Sequence, residues 1–272
     1  MNPKSYQLHH YTSEFDTLKL ILANDGGFWP RYSMEHFSWS QPDRKSHYLA
    51  FPCACFCDLP FEANAMHRAD YGPYVISFDK SSDLANHLTP VIYVNEEGPL
   101  AEMIRVEHSN HLRCFGQAVA TPHDVIHFES TALDRDALGE LWTFLPYLKS
   151  ALGYTLRRRP PPQNGCEYER MPGYDYEWVT KPLEEEFEWR YVPPKHRDAL
   201  YCFADYDRRS IMDRDALSEG TKDSFLKFSH EEVQGVIVKD NFQREEIVRI
   251  HRCLEKKVKT WEEIPGADDG AD

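Results

Sequence analysis

Apolar and polar residues follow two different periods along the chain, and each period predicts one type of secondary structure. Alternation at every second residue, or a short apolar run, indicates a β-strand, whereas apolar residues three and four apart indicate a helix. The predicted strands are Tyr6–Thr12, Leu49–Cys57, Tyr74–Phe78, Val91–Val94, Glu186–Val192 and Glu232–Val238. The predicted helices are Glu14–Ala23, Phe61–Ala69, Leu133–Leu152 and Gln243–Lys257.

Glycine and proline place the breaks between these elements. Asp25-Gly26-Gly27 should end the first helix, because glycine accepts the left-handed conformation of a helix stop. Pro146 should kink or split the helix Leu133–Leu152. The loop Arg157–Gly173, rich in proline and glycine, is the candidate domain boundary, but strand patterns continue on both sides of it. We therefore predict a single domain over residues 1–262 with a long insertion, and a disordered acidic tail over 263–272.

Composition narrows the class of protein. Hydrophobic residues make up 41% of the 272 residues, which is enough for a sizeable core. No apolar run approaches the roughly 18 residues of a membrane-spanning helix, so we expect no residence in a membrane. Seven scattered cysteines, with no leader pattern before Tyr6, favour reduced thiols and a cytoplasmic location.

The charge balance bears on the partners of the protein. Forty-five acidic and 31 basic residues give a formal net charge of −14, which repels a phosphate backbone, so nucleic acid is not a favoured partner. The one basic run, Arg157–Arg159, precedes Pro160–Pro162, and this composition predicts a solvated loop.

The strand Glu186–Val192 contains the first candidate functional residue, Glu188. Charged and aromatic residues alternate here, so Glu186, Glu188 and Arg190 share one face and the aromatic residues share the core face. A carboxylate on such a rigid strand can bind a sugar hydroxyl or stabilise positive charge on a sugar ring. The alternative is an ion pair with Arg190.

The first strand contains a second candidate pair, His10 and Thr12. They lie two residues apart and therefore face the same way, whereas His9 and Tyr11 face the opposite way. A histidine beside a hydroxyl can bind a ribose hydroxyl or an amide. The alternative is that His10 is a buried histidine bonded to the backbone.

Cys53, Cys55 and Cys57 suggest a metal site, but their spacing argues against one. On a strand, successive thiols of one face are roughly 6.5 to 7 Å apart along the backbone. Structural zinc sites instead use a knuckle of two cysteines with a second ligand pair elsewhere, and no such second pair is evident. We predict no metal. The sequence also contains no phosphate-binding glycine loop and no nucleophile elbow.

Several motifs in fixed order resemble the AbiGi family of phage abortive-infection proteins. They are His10-Tyr-Thr12, Leu18-Lys-Leu-Ile-Leu22, Pro30-Arg-Tyr32, Cys55-Phe-Cys-Asp-Leu-Pro60, His67 to Gly72, Pro90-Val-Ile-Tyr93 and Glu188-Trp-Arg-Tyr-Val-Pro193. The resemblance runs nearly from end to end. It implies a two-gene abortive-infection system in which this chain is the antitoxin beside a partner toxin.

The same order of elements is more distantly similar to ADP-ribosyltransferases of the His-Tyr-Glu type, including the DarT toxins. That similarity implies an α+β fold with split, mostly antiparallel sheets and flanking helices, and NAD as a substrate. The residues it implies as NAD contacts are His10, Thr12, Arg31, Phe56, Tyr71 and Tyr74, with Glu188 and His10 as catalytic residues. Phe56 lies where those enzymes commonly have an aromatic residue, and it has no hydroxyl; if the family uses a catalytic tyrosine at that position, this chain lacks it.

Two function hypotheses follow. The first is an NAD-binding, ADP-ribosyltransferase-like enzyme in phage defence, which cleaves the nicotinamide–ribose bond or transfers ADP-ribose. The second is a non-catalytic antitoxin that neutralises a partner toxin by covering it with an acidic surface. A nucleotide sensor that uses the same pocket without turnover is a third reading, and a homo-oligomer is compatible with all three.

Overall fold

The computed structural model describes residues 6–23, 26–36, 48–61, 65–95, 97–104, 106, 126–127, 144–158, 176–182, 186–194, 201–203 and 218–265. The strands are β1 (Gln7–Thr12), β2 (Arg31–His36), β3 (Tyr48–Cys57), β4 (Tyr74–Asp79), β5 (Thr89–Pro90), β6 (Ile92–Val94), β7 (Ile126–His127), β8 (Leu148–Ser150), β9 (Leu152–Arg158), β10 (Tyr176–Pro182), β11 (Glu188–Tyr191), β12 (Tyr201–Phe203), β13 (Val233–Val238) and β14 (Val258–Thr260). The α-helices with defined bounds are α1 (Phe15–Leu22), α2 (Ala65–Tyr71) and α3 (Asn241–Ile250).

Ten of the described strands form one mostly antiparallel sheet, with β14-β13-β4-β1-β3-β11-β5 as its main path. Strand β3 is the longest at ten residues and organises the sheet. Its C-terminal half pairs with β1 and β11, whereas its N-terminal half pairs with β2 and β12. The predicted mixed fold of helices with a mostly antiparallel sheet is confirmed. The finer likeness to an ADP-ribosyltransferase fold stays a prediction.

Side chains alternate between the two faces of this sheet, and each face packs against different elements. On one face, Leu8, Phe56 and Ile76 form the main core with Leu18 of α1 and Ile247 of α3. We call this the helix face. On the other face, a smaller core joins Phe51 and Cys53 to Leu145, Leu148 and Val192, and Val75 packs with Trp261. We call this the second face.

Most strand predictions are confirmed, but two helix predictions are wrong within the described residues. The predicted helix Leu133–Leu152 gives way to a 3-10 turn at Leu145–Tyr147 and strand β8, because Pro146 occupies the turn and β8 pairs with β6. Residues 133–143 lie outside the described part. The closing helix ends at Ile250 rather than Lys257, and Val258–Thr260 instead pairs in parallel with β13.

Three other boundaries differ from the sequence-based prediction. Helix α2 covers Ala65–Tyr71, and residues 62–64 lie outside the described part. Arg157 and Arg158 belong to β9 rather than to a loop, because the backbone of β9 pairs with β10. The predicted disordered tail starts at residue 263, but its first residues make contacts. Glu263 accepts a hydrogen bond from the backbone N–H of Thr260, and Ile264 packs near Trp261. Residues 266–272 of the predicted tail are not described.

Among the described residues, no helix has both the length and the apolar character that crossing a membrane requires.

Candidate functional site

The second face carries five buried charged side chains that contact one another. They are Glu35, Lys149, Glu186, Glu188 and Arg190. Glu35 comes from β2, Lys149 from β8, and Glu188 with Arg190 from β11, so strands distant in sequence meet here. We call these five residues the buried charge cluster. Burial of so many charges is costly unless each is paired and hydrogen-bonded, so their partners decide what the cluster can do.

Glu188 has both carboxylate oxygens occupied. Arg190 Nε donates to Glu188 Oε1 at 2.6 Å, and Lys149 Nζ donates to Glu188 Oε2 at 2.8 Å. Arg190 Nη2 also donates to Glu188 Oε2 at 3.1 Å. The side chain is 8% exposed. The ion pair with Arg190, one of the two alternatives raised by the sequence, is therefore the observed state of Glu188.

Arg190 is fully buried and joins three parts of the chain. Its Nη2 donates to Glu35 Oε1 at 2.6 Å, and its Nη1 donates to the carbonyl of Pro146 at 2.7 Å. The guanidinium carbon lies 5.2 Å from the ring centre of Phe51. A guanidinium can satisfy several acceptors at once because its donors are held in a rigid planar fork. Arg190 thus links β2, β11 and the turn before β8.

Lys149, a member of the cluster, and Tyr71 of α2 both contact Glu186. Lys149 Nζ donates to Glu186 Oε2 at 2.5 Å and lies 4.0 Å from Glu35 Oε1. The Tyr71 hydroxyl donates to Glu186 Oε1 at 2.6 Å. Burial raises the pKa of the Tyr71 hydroxyl, and the negative charge of Glu186 raises it further. Tyr71 therefore remains a hydrogen-bond donor.

The pKa values within the cluster follow from burial and pairing. Burial alone would raise the pKa of Glu188, but the positive charges of Arg190 and Lys149 outweigh it and hold that pKa below its ordinary value. Burial raises the pKa of Glu35, although Arg190 and Lys149 act in the opposite direction. Glu188 is therefore held in the ionised form, and Glu35 takes up a proton more readily than Glu188 does.

His10 lies on the helix face, opposite to Glu188. The strand registers pair His9 with Cys57 and Cys57 with Glu188, and residues paired across a sheet share a face. His10 instead contacts the rings of Phe28 and Phe56, at centroid distances of 4.7 and 5.5 Å. The predicted pocket that joins His10 to Glu188 is therefore not observed, because an intact sheet separates the two side chains.

The local state of His10 matches the structural alternative. Its Nδ1–H donates to the carbonyl of Cys55 at 2.8 Å. Burial lowers the pKa of His10 to about 4, although the hydrogen bond to Cys55 opposes this shift. His10 is thus a neutral histidine within the main core that ties β1 to the backbone of β3.

The other predicted NAD contacts are spread over both faces. Thr12 is opposite Tyr74 in the β1–β4 pairing, and the buried Tyr74 hydroxyl accepts from Gln243 Nε2 at 2.9 Å. Phe56 is buried in the main core. Arg31 is exposed, with its guanidinium carbon 5.2 Å from the ring centre of Trp29. Tyr71 reaches the buried charge cluster, through Glu186.

His9 is not among the predicted site residues, but it shares the second face with Glu188. Its Nδ1 lies 2.8 Å from the hydroxyl of Ser77, and its ring centre lies 4.3 Å from that of Phe61. No described residue is a hydrogen-bond partner of His9 Nε2. Burial, together with the nearby charges of His67 and Lys80, lowers the pKa of His9 to about 3.

The cysteines of β3 line the second face as reduced thiols. Cys53 Sγ and Cys55 Sγ are 3.6 Å apart. A hydrogen bond to Cys53, burial and the nearby charge of Glu188 raise the pKa of the Cys55 thiol well above its ordinary value. Within the ranges the structure describes, no group of three or more histidine, cysteine, aspartate or glutamate side chains is arranged to hold a metal ion.

Two members of the cluster could not be found from the strand pattern around Glu188. Glu35 lies in β2, and Lys149 lies in a segment whose spacing predicted a helix. The one available signal was the Glu-x-Glu-x-Arg alternation at 186–190, which requires charged or polar partners on the facing elements when that side of the strand is buried. That signal does not specify which residues supply them.

Comparisons with known proteins give two matches. A family model for the abortive phage resistance protein AbiGi, described as an antitoxin, matches residues 27–131. The abortive phage resistance protein AbiGi of Lactococcus lactis subsp. cremoris is 24% identical over 244 residues, which cover 84% of this chain and 89% of that protein.

The resemblance to the AbiGi family is confirmed. The segment that matches the AbiGi model contains Glu35 and Tyr71 but ends before Lys149 and Glu188. The alignment with the AbiGi relative from Lactococcus is much longer. No solved structure gives a significant match. The similarity to ADP-ribosyltransferases, and NAD as a ligand, therefore stay predictions.

Proposed function

We propose that this chain is a phage-defence protein that acts as an antitoxin, by binding a partner toxin rather than by turning over a substrate. The observation that carries the proposal is the occupancy of Glu188, the candidate catalytic acid. Both of its oxygens are held by Arg190 and Lys149 inside the protein. A carboxylate in that state stabilises the fold instead of a developing charge on a substrate. The antitoxin description of the AbiGi family supports the same conclusion.

The charge of the molecule favours a basic partner. A formal net charge of −14 attracts a positively charged surface over a long range and accelerates encounter. Several acids on and after α3 are exposed, including Glu245, Glu255 and Glu262. The partner we propose is therefore a toxin with a basic contact surface, encoded beside this chain.

Co-expression with the neighbouring gene tests the proposal. We expect the chain to be harmless when expressed alone and to restore growth when expressed with the neighbouring toxin. The variant Glu188→Gln should still restore growth wherever it remains folded, because the binding surface does not include the buried cluster. Glu219→Gln is the control for an exposed acid, since Glu219 forms a surface ion pair with Lys222.

A destabilised variant with an intact cluster separates folding from chemistry. Gly72→Ala, whose new methyl group would collide with the backbone of Ser13, serves this purpose. If the chain alone arrests growth, and Glu188→Gln abolishes the arrest while an equally unstable Gly72→Ala does not, the antitoxin proposal is overturned in favour of the enzyme. A rise in the melting temperature on addition of NAD would point the same way, since a ligand of the folded state stabilises it.

A further inference from the structure

A thiol and two imidazoles meet on the helix-face side of the molecule, away from the buried charge cluster. Cys253 Sγ is exposed and lies 3.6 Å from His230 Nδ1. The ring of His251 lies edge-on to that of His230, with 4.7 Å between the ring centres. His251 follows the last residue of α3, and Cys253 lies in the 3-10 turn after it. Neither the resemblance nor the proposed function uses these residues.

The tautomer of His230 is fixed by its second nitrogen. His230 Nε2 lies 2.8 Å from the carbonyl oxygen of Leu22, at the end of α1. A carbonyl oxygen can only accept, so Nε2 carries the proton and donates it. In the neutral ring Nδ1 is then an acceptor, and it faces the Cys253 thiol. The Cys253 thiol is thus in contact with a base, His230, which the carbonyl of Leu22 orients. This is the arrangement of an activated thiol.

The thiol of Cys253 is open to small solutes because the residue is exposed. A separate depression of about 350 Å³, partly open to solvent, borders His230 and is lined by Ile21, Ala23, Gly26, Phe228 and Ser229 as well. Lys257 Nζ donates to the backbone carbonyl of His230 at 3.2 Å, which places a positive charge nearby and fixes the segment that carries the imidazole. Thiolate and imidazolium are both compatible with these contacts, since imidazolium donates from both nitrogens.

We propose that Cys253 is a peroxide-reactive thiol for which His230 is the general base. His230 Nδ1 takes the thiol proton, and the Cys253 sulfur attacks one oxygen of hydrogen peroxide. A sulfur–oxygen bond forms as the oxygen–oxygen bond breaks, and the leaving hydroxide takes the proton from His230 to give water. The sulfur loses two electrons and the peroxide gains them, so that thiol and peroxide yield sulfenic acid and one water.

Site-resolved trapping of sulfenic acid tests the proposal on the full-length chain. The reduced protein is exposed to hydrogen peroxide at neutral pH with a dimedone-type trap, and mass spectrometry follows each cysteine peptide over time. We expect Cys253 to be labelled faster than the buried Cys53 and Cys57 and the partly buried Cys55. We also expect His230→Gln, which can still donate to Leu22, to slow labelling of Cys253 by about tenfold or more, since general bases contribute at least this much.

The folded state of the wild type supplies a second comparison that does not depend on the variant. Labelling of Cys253 should be at least about tenfold faster in the folded protein than in the same protein unfolded in guanidinium, where His230 no longer faces the thiol. Equal rates in the folded and unfolded chain overturn the proposal. So does an unchanged rate in His230→Gln when circular dichroism shows that variant to be folded.

Discussion

At the scale of single residues, the buried charge cluster determines what Glu188 can do. Three buried carboxylates meet two buried cations, and each cation contacts more than one carboxylate. Removing one cation would leave buried negative charges without compensation, which costs far more than losing an exposed ion pair. A lysine in an exposed ion pair can therefore be compared directly with a lysine of the cluster.

Lys149→Met tests this difference. We expect it to lower the free energy of unfolding by about 3 kcal/mol or more, because Glu186 and Glu188 lose their shared cation. The matched control is Lys222→Met, which removes a lysine that is 56% exposed and paired with Glu219. That control should stay within about 0.5 kcal/mol of the wild type. Urea unfolding measures both values, and similar losses in the two variants would contradict the role assigned to the cluster.

Glu35→Gln gives a prediction for pH. Because burial raises the pKa of Glu35, the folded state holds this proton to higher pH than the unfolded state does. The contribution of Glu35 to stability is therefore present at low pH and is lost as pH rises above 4.5, the ordinary value. Glutamine keeps an oxygen for Arg190 but does not titrate. The stability of Glu35→Gln relative to the wild type should thus increase from pH 5 to pH 8 in urea unfolding, and a constant difference would contradict the assignment.

The sequence predicted the face of a strand to which a side chain points better than it predicted the residues that the side chain contacts. Strand alternation correctly placed Glu188 and Arg190 on one face, and His10 and His9 on opposite faces. It did not determine which face of one strand matches which face of another, because that depends on the register between strands. The similarity to ADP-ribosyltransferases implied a shared pocket for His10 and Glu188, whereas the pairing of both strands with β3 puts them on opposite sides.

At the scale of elements, strands were predicted more reliably than helices. Leu49–Cys57 and Tyr74–Phe78 have continuous apolar runs, and both are central strands in the structure. The segment before Leu152 has leucines at helical spacing, but its described part forms β8 because pairing with β6 prevails over that pattern. Strand β11 starts at Glu188 rather than Glu186, since Phe187 adopts a positive φ of 46°. A pattern of apolar residues contains no information on that backbone turn.

The junction between α2 and β4 depends on one glycine, which gives an element-scale prediction. Gly72 has a φ of +110°, and a Cβ at this position would lie 2.3 Å from the Cα of Ser13. Gly72→Ala should therefore destabilise the protein by about 2 kcal/mol or more, through backbone strain and displacement of β1. Gly235→Ala in β13 is the control, because its Cβ would meet Ser77 at an ordinary 3.8 Å. Thermal unfolding that shifts equally in both variants would contradict this explanation.

At the scale of the whole molecule, the sheet provides rigidity and the net charge provides long-range attraction. The main core and the buried charge cluster lie on opposite faces of the sheet, so one face is stabilised by apolar burial and the other partly by ion pairs. Composition alone indicated the acidic balance and a globular chain. It contained no information on how the carboxylates divide between the interior and the surface that a partner meets.

The acidic surface makes binding to a basic toxin dependent on salt. We expect the association rate of the purified pair to fall severalfold between low and physiological ionic strength, while the dissociation rate changes less, because screening acts mainly on long-range encounter. Surface plasmon resonance over a series of salt concentrations measures both rates. An association rate independent of salt would contradict an electrostatic role for the net charge of −14.

The position of β13 determines when the sheet can be completed during protein synthesis. This strand pairs with β4, although it follows β4 by most of the length of the chain, and β14 can pair only after β13. While the ribosome is still translating, β4 therefore has one edge without its neighbour, and Ile247 and Leu254 are missing from the main core. The sheet can be completed only after β13 and β14 have been synthesised. In the proposed role, fresh antitoxin would then depend on uninterrupted translation, and an infecting phage that halts host translation would cut off its supply.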